Sequence, residues 1–461
     1  MYTTTDIGSS LAFHKSGGAI QAAVSHDFTA ETPTFDVVVT PNSGSPVASA
    51  LAYREHLLAD GGLVSLDQKI TNNPRVRDLV GAPHAYVWGS GRTPEALDAL
   101  ASAGVDRFWV GYDGDPVTDS FVTAQKKYLI GPYDSWANAQ DPATSDSPSA
   151  SWPDNLYPQG CVRGLDGGIV TGFGGRGCYL SSTALAQAQR ADGVIADRVK
   201  AFTPNGADSY FLDVDAVGQL FDDSTPSHPQ TKAEDRALRL ERMEALARGD
   251  YSNGKPLVLG SEAAEGWANP AIAFSHGSST PVFDDLWKLE RDKATWGGYW
   301  PTDHPGFFFK PVDLPQQLAT AMFAPQYRVP LYETVLHDSV VSTDRWELGL
   351  DKLPSLKTHR ILMAMLYNEP VMYSLDMDTI AADKAEIATQ QRFFAFIQAS
   401  AGTKPLTSFR ALSSDRLVQQ TVYGNGALTV TVNFGQTAFQ NVPPGCATAA
   451  DAHGKSNTLC P

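Results

Sequence analysis

Between residues 84 and 373, short apolar runs alternate with longer segments whose apolar positions recur every three or four residues. His84-Ala85-Tyr86-Val87-Trp88-Gly89 reads as a strand. Thr93-Pro94-Glu95 then opens a helix, with Thr as N-cap and Pro at the first helical position. Leu97, Leu100 and Ala101 give that helix an apolar stripe, and Gly104 ends it. Arg107-Phe108-Trp109-Val110-Gly111 is the next strand, and Tyr128 to Asp134 the one after. The same grammar predicts a helix over about 182–200 and a strand at Ser209-Tyr210-Phe211-Leu212. A helix from the capping box Thr231-Lys232-Ala233-Glu234 to about Arg248 follows, and then a strand at Pro256–Gly260. Further strands are predicted at Val329–Tyr332 and Pro370–Tyr373, with a helix over 355–367 between them.

Repeated strand–helix units with apolar strands build a parallel sheet covered by helices. Their number is near eight, and residues 47–398 are long enough for an α/β fold of the (β/α)8 TIM-type barrel class. A doubly wound open sheet is the alternative. Ahead of the barrel, residues 1–46 read as a short N-terminal β segment. Phe35 to Thr40 is its half-buried strand, and Pro41-Asn42-Ser43-Gly44 its closing turn. A helix over roughly 47–60 follows. After about residue 400 the helical pattern stops. Leu417–Tyr423 and Ala427–Asn433 flank Gly424-Asn425-Gly426, a hairpin signal, so residues 399–461 are expected to form a small, sandwich-like C-terminal β-domain. The polar stretch 141–156 is expected to be a long loop over the barrel mouth.

Composition narrows the partners. The chain has 461 residues and a net charge of -16, and so acidic a surface repels phosphate backbones, which argues against nucleic acid. No apolar stretch reaches the ~18 residues of a membrane span. Four cysteines fall into two local pairs, Cys161/Cys178 and Cys446/Cys460, each spaced for a short-loop disulfide and neither with the CxxC spacing of zinc. Free thiols are the alternative. Disulfides imply an exported protein, secreted or periplasmic, although the N-terminal MYTTTDIGSS has neither the basic nor the apolar region of a signal peptide.

In a barrel, chemistry sits at the C-terminal ends of strands. The strand Tyr210-Phe211-Leu212 stops at Asp213, and the following one delivers Glu262. Two carboxylates on neighbouring strand ends suit glycoside hydrolysis, in which one group attacks the anomeric carbon and the other protonates the leaving oxygen. Asp215 lies two residues beyond Asp213, so side-chain alternation aims both the same way. Glu265 is a weaker candidate. His337-Asp338 is expected at the end of a late strand, hydrogen-bonding sugar hydroxyls. Trp88, Tyr112, Asp113, Tyr133 and Trp267 are candidate stacking platforms or hydroxyl ligands. Gly172-Phe173-Gly174-Gly175-Arg176-Gly177 matches a dinucleotide fingerprint, but no strong strand precedes it and it lies between Cys161 and Cys178. Asp213, Asp215, Asp222 and Asp223 lack EF-hand spacing, and no H-E-x-x-H zinc pattern is present. Neither metal nor organic cofactor is expected.

From about Ala48 to Tyr373 the sequence resembles the endo-α-N-acetylgalactosaminidase group, glycoside hydrolase families 101 and 129. The likeness rests on Ala52-Tyr53-Arg54-Glu55 with Gly61-Gly62-Leu63, on 210-YFLDVDA-216, 257-LVLGSE-262 and 329-VPLYETVLHDSVV-341. It implies a (β/α)8 barrel with β-domains and retaining cleavage of α-linked sugars in an oligosaccharide or glycoconjugate. It also implies that Asp213 is the nucleophile and Glu262 the acid/base. The chain lacks the large accessory domains of those enzymes, which bears on their disaccharide specificity. A transglycosylase or isomerase on the same barrel, and a carbohydrate-binding barrel without catalysis, are the rival readings.

Overall fold

The computed structural model describes every residue except 1, 5, 6, 31, 40, 42, 43, 115, 146, 154 and 218. Eight strands form one parallel sheet: β1 (His84–Val87), β2 (Phe108–Tyr112), β3 (Tyr128–Ser135), β4 (Ser209–Asp213), β5 (Val258–Ser261), β6 (Phe274–His276), β7 (Val341–Thr343) and β8 (Met372–Leu375). Their lateral order is β7-β6-β5-β4-β3-β2-β1-β8, a nearly closed (β/α)8 barrel whose ladder stays open between β7 and β8. Alternation sorts the side chains. Tyr86, Trp109, Leu129, Phe211, Val258 and Phe274 fill the interior. Phe108, Val110 and Ile130 face helices on one side, and Tyr210, Leu212 and Leu259 on another. The interior rings leave no room for other side chains at their level. A Cβ on Gly111 would sit 2.5 Å from Trp109 and 2.6 Å from Tyr86, and one on Gly260 would overlap the Phe274 ring.

Most helices follow the sequence pattern. Pro94–Ser102 starts at the Thr93 cap, and Lys232–Arg248 at a formed capping box on Thr231. The helix predicted over 182–200 is two helices, Ser182–Asp192 and Val194–Phe202, because Gly193 adopts φ 70° and breaks the run. The strand predicted at Val329–Tyr332 is absent: Leu331–Leu336 is helical, and the true seventh strand lies beyond it. Strand β6 was not predicted. Both β6 and β7 are three-residue strands buried on both faces, so neither shows the alternation that marks longer strands.

The N-terminal strands pair among themselves, Tyr2–Thr4 with Val37–Val39 and Ser9–Ser16 with Ala19–His26. Val37 and Val39 are exposed rather than half-buried. Thr40, and Asn42 and Ser43 of the expected turn, lie outside the described residues. The helix Ala48–Ala59 is fixed to the barrel by Arg54, which donates to both carboxylate oxygens of Asp338 at 2.7 and 2.8 Å and to the Val335 carbonyl at 2.6 Å. The stretch 141–156, whose residues 146 and 154 fall outside the description, is held by Arg198. Its guanidinium donates to the Ser149 and Ser151 carbonyls and stacks over Trp152.

At the C-terminus β9 (Leu406–Ala411), β10 (Val418–Tyr423), β11 (Leu428–Asn433), β12 (Cys446–Asp451) and β13 (Ser456–Leu459) form a single antiparallel sheet. It packs on the helices Lys357–Tyr367 and Met377–Ala401. Thr421 and Tyr423 donate to the Leu366 carbonyl at 2.7 and 2.9 Å, satisfying an acceptor that the end of its helix leaves open. Both local cysteine pairs are disulfides, Cys161–Cys178 and Cys446–Cys460. Among the described residues no helix is long and apolar enough to cross a membrane.

The Arg54–Asp338 pair is buried, so removing one partner strands the other's charge. Arg54→Ala or Asp338→Ala should each cost about 3–5 kcal/mol. Denaturant unfolding followed by tryptophan fluorescence checks this, and a loss below about 1 kcal/mol would show that the pair is solvated.

Candidate active site

The C-terminal ends of the strands converge on a group of acids and aromatic rings. Strand β4 alternates Ser209, Phe211 and Asp213 inward, and β5 does the same for Val258, Gly260 and, just past its end, Glu262. The two strands are direct parallel neighbours. The carboxyl of Asp213 is held well above the ordinary carboxylate range, first by burial and then by the charge of Glu262. Tyr133, on β3, opposes this by donating its hydroxyl to Asp213 Oδ2 at 2.7 Å. Asp213 Oδ1 is buried and has no hydrogen-bond partner among the described residues. Val214 adopts φ 52°, a conformation that a β-branched residue takes only under constraint.

That left-handed turn explains the fate of Asp215. Strand alternation would have brought it inward beside Asp213, but the chain rotates at Val214. Asp215 is instead fully buried on the outer side, ion-paired with Arg242 of the helix Lys232–Arg248. Other expected site residues also lie elsewhere. Tyr112 points outward from β2 and donates to the Phe202 carbonyl at 2.9 Å. After Glu262 the chain descends along the outer side of the barrel. There Trp267 donates to Glu265 at 3.1 Å and Gly266 packs against Tyr53. His337 and Asp338 precede β7 and so sit at its N-terminal end, away from the mouth. His337 contacts the Lys404 and Asn368 carbonyls, and Asp338 holds Arg54.

Trp88, Asp113 and Tyr133 do join the group. Trp88 stacks on Phe308 with ring centroids 4.6 Å apart, and Asp113 lies close enough for its charge to act on Tyr86 and Tyr133. The residues that complete the site were not anticipated. Beyond β7 the chain reads Asp344-Arg345-Trp346-Glu347. Arg345 is buried and donates Nη2 to Glu262 Oε1 and Nε to Glu347 Oε1, each at 2.6 Å. Trp346 packs against Tyr86, Tyr133 and Phe308, with centroids 5.4–5.5 Å away. Burial and the charge of Glu347 push the Glu290 carboxyl up to about 9, and burial pushes the Lys352 ammonium down to about 7. A sequence signal existed: Val340-Val341-Ser342-Thr343 is a β-branched run that ends in charged and aromatic residues, the same grammar as Tyr210 to Asp213.

Below the acids the interior is aromatic and buried. His84 and His276 share a 2.9 Å hydrogen bond there, and burial pushes His84 down to about 3, so the pair is neutral. A neutral, ring-lined floor removes solvent from the carboxyls above it, which is the main cause of the Asp213 shift. Among the described residues no group of three or more His, Cys, Asp or Glu is placed to hold a metal ion. Asp223 instead accepts from Thr225, His228 and the Arg163 backbone.

A barrel whose mouth gathers buried carboxyls among aromatic rings suits an enzyme of the glycoside hydrolase class, and the family match shows that class. More narrowly, the chain belongs to the family described as glycosyl hydrolases related to the GH101 family, GH129, which matches residues 99–422. In structure it is similar to the ligand-free α-N-acetylgalactosaminidase NagBb from Bifidobacterium bifidum. The TM-score is 0.64 at 18% identity, covering 99% of this chain and 72% of that one. The GalNAc complex of the same protein matches with a TM-score of 0.62 at 18% identity, over 100% of this chain and 71% of that one. A cycloalternan-degrading enzyme from Trueperella pyogenes, in complex with a covalent intermediate, matches at TM-score 0.51 and 12% identity, over 100% and 68% of the two chains. At these identities the likeness is one of fold. No curated protein matches the chain.

Arg345→Met should leave Glu262 and Glu347 without their shared cation and cost about 3–5 kcal/mol at neutral pH. Losing that cation raises the Glu347 carboxyl further in the folded state. The deficit should therefore be small near pH 4.5, Glu347's ordinary value, and grow as the pH rises toward neutrality. Unfolding measured at several pH values checks the sign, and a deficit that shrank with rising pH would refute it.

Proposed function

We propose that the chain is a retaining glycoside hydrolase acting on α-linked sugars, of the α-N-acetylgalactosaminide or α-galactoside type. Asp213 is its nucleophile and Glu262 its general acid/base. The observation that carries this reading is the placing of two electrostatically interacting carboxyls on adjacent strand ends, one of them with an oxygen left without a partner among the described residues. The retaining route needs such a pair about 5 Å apart. The name of the structural relative, α-N-acetylgalactosaminidase, favours the sugar type, and the family resemblance favours the assignment of roles.

The electrostatics set a requirement on the mechanism. In the free site Arg345 is ion-paired with Glu262, while burial and the charge of Glu262 disfavour ionisation of Asp213. The attack step needs the reverse distribution. A sugar whose anomeric carbon gains positive charge beside Asp213 favours the ionised nucleophile, which bonds to that carbon as the glycosidic bond breaks and Glu262 gives its proton to the leaving oxygen. Arg345 can loosen its hold on Glu262 because Glu347 remains as its partner. Trp346 and Tyr133 close one side of the sugar site and keep water from the first step. Water then attacks the glycosyl-enzyme, with Glu262 as base.

The two disulfides support an exported protein, and the division at residues 46/47 and 398/399 belongs to the same proposal. Transfer to acceptor sugars in place of water would make the enzyme a transglycosylase with the same residues.

Asp213→Gly and Glu262→Ala should each reduce turnover of an aryl α-glycoside by several orders of magnitude while the fold persists. Azide separates the roles. Rescue of Asp213→Gly should give the β-glycosyl azide, and rescue of Glu262→Ala the α-azide, as read by NMR. The opposite assignment of anomers, or near-normal hydrolysis by either variant, would refute the roles.

In a substrate whose leaving group needs no acid, Glu262→Gln should move the acid limb of kcat/KM to lower pH, because the charge that raises Asp213 is gone. Tyr133→Phe should move it to higher pH, because the hydrogen bond that lowers Asp213 is lost. A pH profile of each variant checks both directions.

A further inference from the structure

Two connections rise over the mouth, and the second contributes Glu290 to the carboxyl group. One leaves β3 and contains the loop closed by Cys161–Cys178. The other leaves β6 and carries the helix Asp284–Arg291 and then Tyr299. We infer that the disulfide-closed loop and the facing segment around Tyr299 form a binding site for the substrate's leaving group, and that this site takes a planar or apolar aglycone. The inference rests on the glycosidase reading above and adds where the second half of the substrate lies.

Position is the first argument. Phe173, in the closed loop, meets Trp287 edge to face at 5.9 Å. The Arg345 guanidinium lies 5.0 Å over the Trp287 ring, and the same guanidinium holds Glu262. A continuous line of contacts therefore joins the loop to the proposed acid. An acid that protonates the leaving oxygen must lie beside that oxygen, so the group attached to the oxygen departs on this side. Tyr299 lies close enough to Arg176 of the closed loop, and to Glu290 and Glu347 within the site, for their charges to act on its phenol.

Exposure is the second argument. Phe173 is 50% exposed and Tyr299 56%. Each ring is nevertheless anchored, Phe173 by Trp287 and by Arg291 at 5.5 Å, and Tyr299 by stacking on Phe307 with centroids 4.6 Å apart. Rings that are held in place yet half in water present a fixed apolar surface to a ligand.

Preorganisation is the third. The closed loop carries its own hydrogen bonds, Gly164 N to the Gly168 carbonyl at 3.0 Å and Gly172 N to the Gly177 carbonyl at 3.3 Å. Gly177, at φ 52°, packs so closely on the Ala139 carbonyl that no side chain fits there. A platform fixed before the ligand arrives loses little entropy on binding it. The glycine pattern of 172–177, which imitates a dinucleotide fingerprint in the sequence, is accounted for by this tight loop.

The test compares two substrates that differ only in the leaving group: para-nitrophenyl α-N-acetylgalactosaminide, with an aryl aglycone, and α-N-acetylgalactosaminyl fluoride, with none. The corresponding galactosides are used if the wild type prefers them. Phe173→Ala and Tyr299→Ala should each raise KM for the aryl glycoside about tenfold and leave kcat/KM for the fluoride within about twofold. Equal effects on both substrates, or no effect on either, overturn the inference while leaving the glycosidase reading intact. A wild type that cleaves neither series in any sugar overturns the glycosidase reading and the inference together.

Discussion

One buried cation organises the active end of this barrel. Arg345 reaches from the end of β7 to two carboxylates, Glu262 on the far side and Glu347 on its own segment, and its outer face lies on Trp287. Without it the mouth would hold Asp213, Glu262, Glu347 and Glu290, with Lys352 as a counter-charge near Glu290. Acids this close in a buried interior cannot all ionise, so some would take up protons and the rest would repel. The guanidinium fixes which oxygens carry charge. Its planar fork satisfies two carboxylates at once, which an ammonium on a flexible stem does with less geometric control.

The backbone does comparable work at Val214. Regular alternation would place Asp213 and Asp215 on one face, two like charges side by side. A left-handed residue between them sends the second carboxylate to Arg242 and leaves the first alone beneath Tyr133. Strain at that single residue separates an acid paired outside the barrel from one facing its mouth. The two acids look equivalent in the linear sequence because φ at position 214 is set by surrounding packing rather than by Val214 itself.

Legibility of the rest followed strand length. The strands ending at Trp88, Asp113 and Asp213 and the one before Glu262 are apolar runs with clear stops, and the barrel and several residues gathered at its mouth could be read from them; the disulfides followed from cysteine spacing. Strands β6 and β7 are three residues each, too short to announce a period, so Arg345, Trp346 and Glu347 escaped notice. The misplaced late strand carried His337 and Asp338 with it. Those residues serve assembly: Asp338 receives Arg54 from a helix far earlier in the chain, and His337 binds the carbonyl of Lys404 just before the C-terminal sheet. The same motif that supports the family resemblance is therefore an architectural joint. Tyr112, Glu265 and Trp267 likewise look like mouth residues only until one knows which side of the wall they occupy.

The open ladder between β7 and β8 gives the barrel the character of a clamp rather than a hoop. In a hoop, spreading the rim at any point breaks a row of main-chain hydrogen bonds. Here the two free edges meet at one seam, and the segment that follows β7 carries Arg345, Trp346 and Glu347. The seam therefore lies next to the residues that govern charge at the mouth, while β3, β4 and β5, which hold Tyr133, Asp213 and Glu262 in register, lie on the unbroken arc opposite.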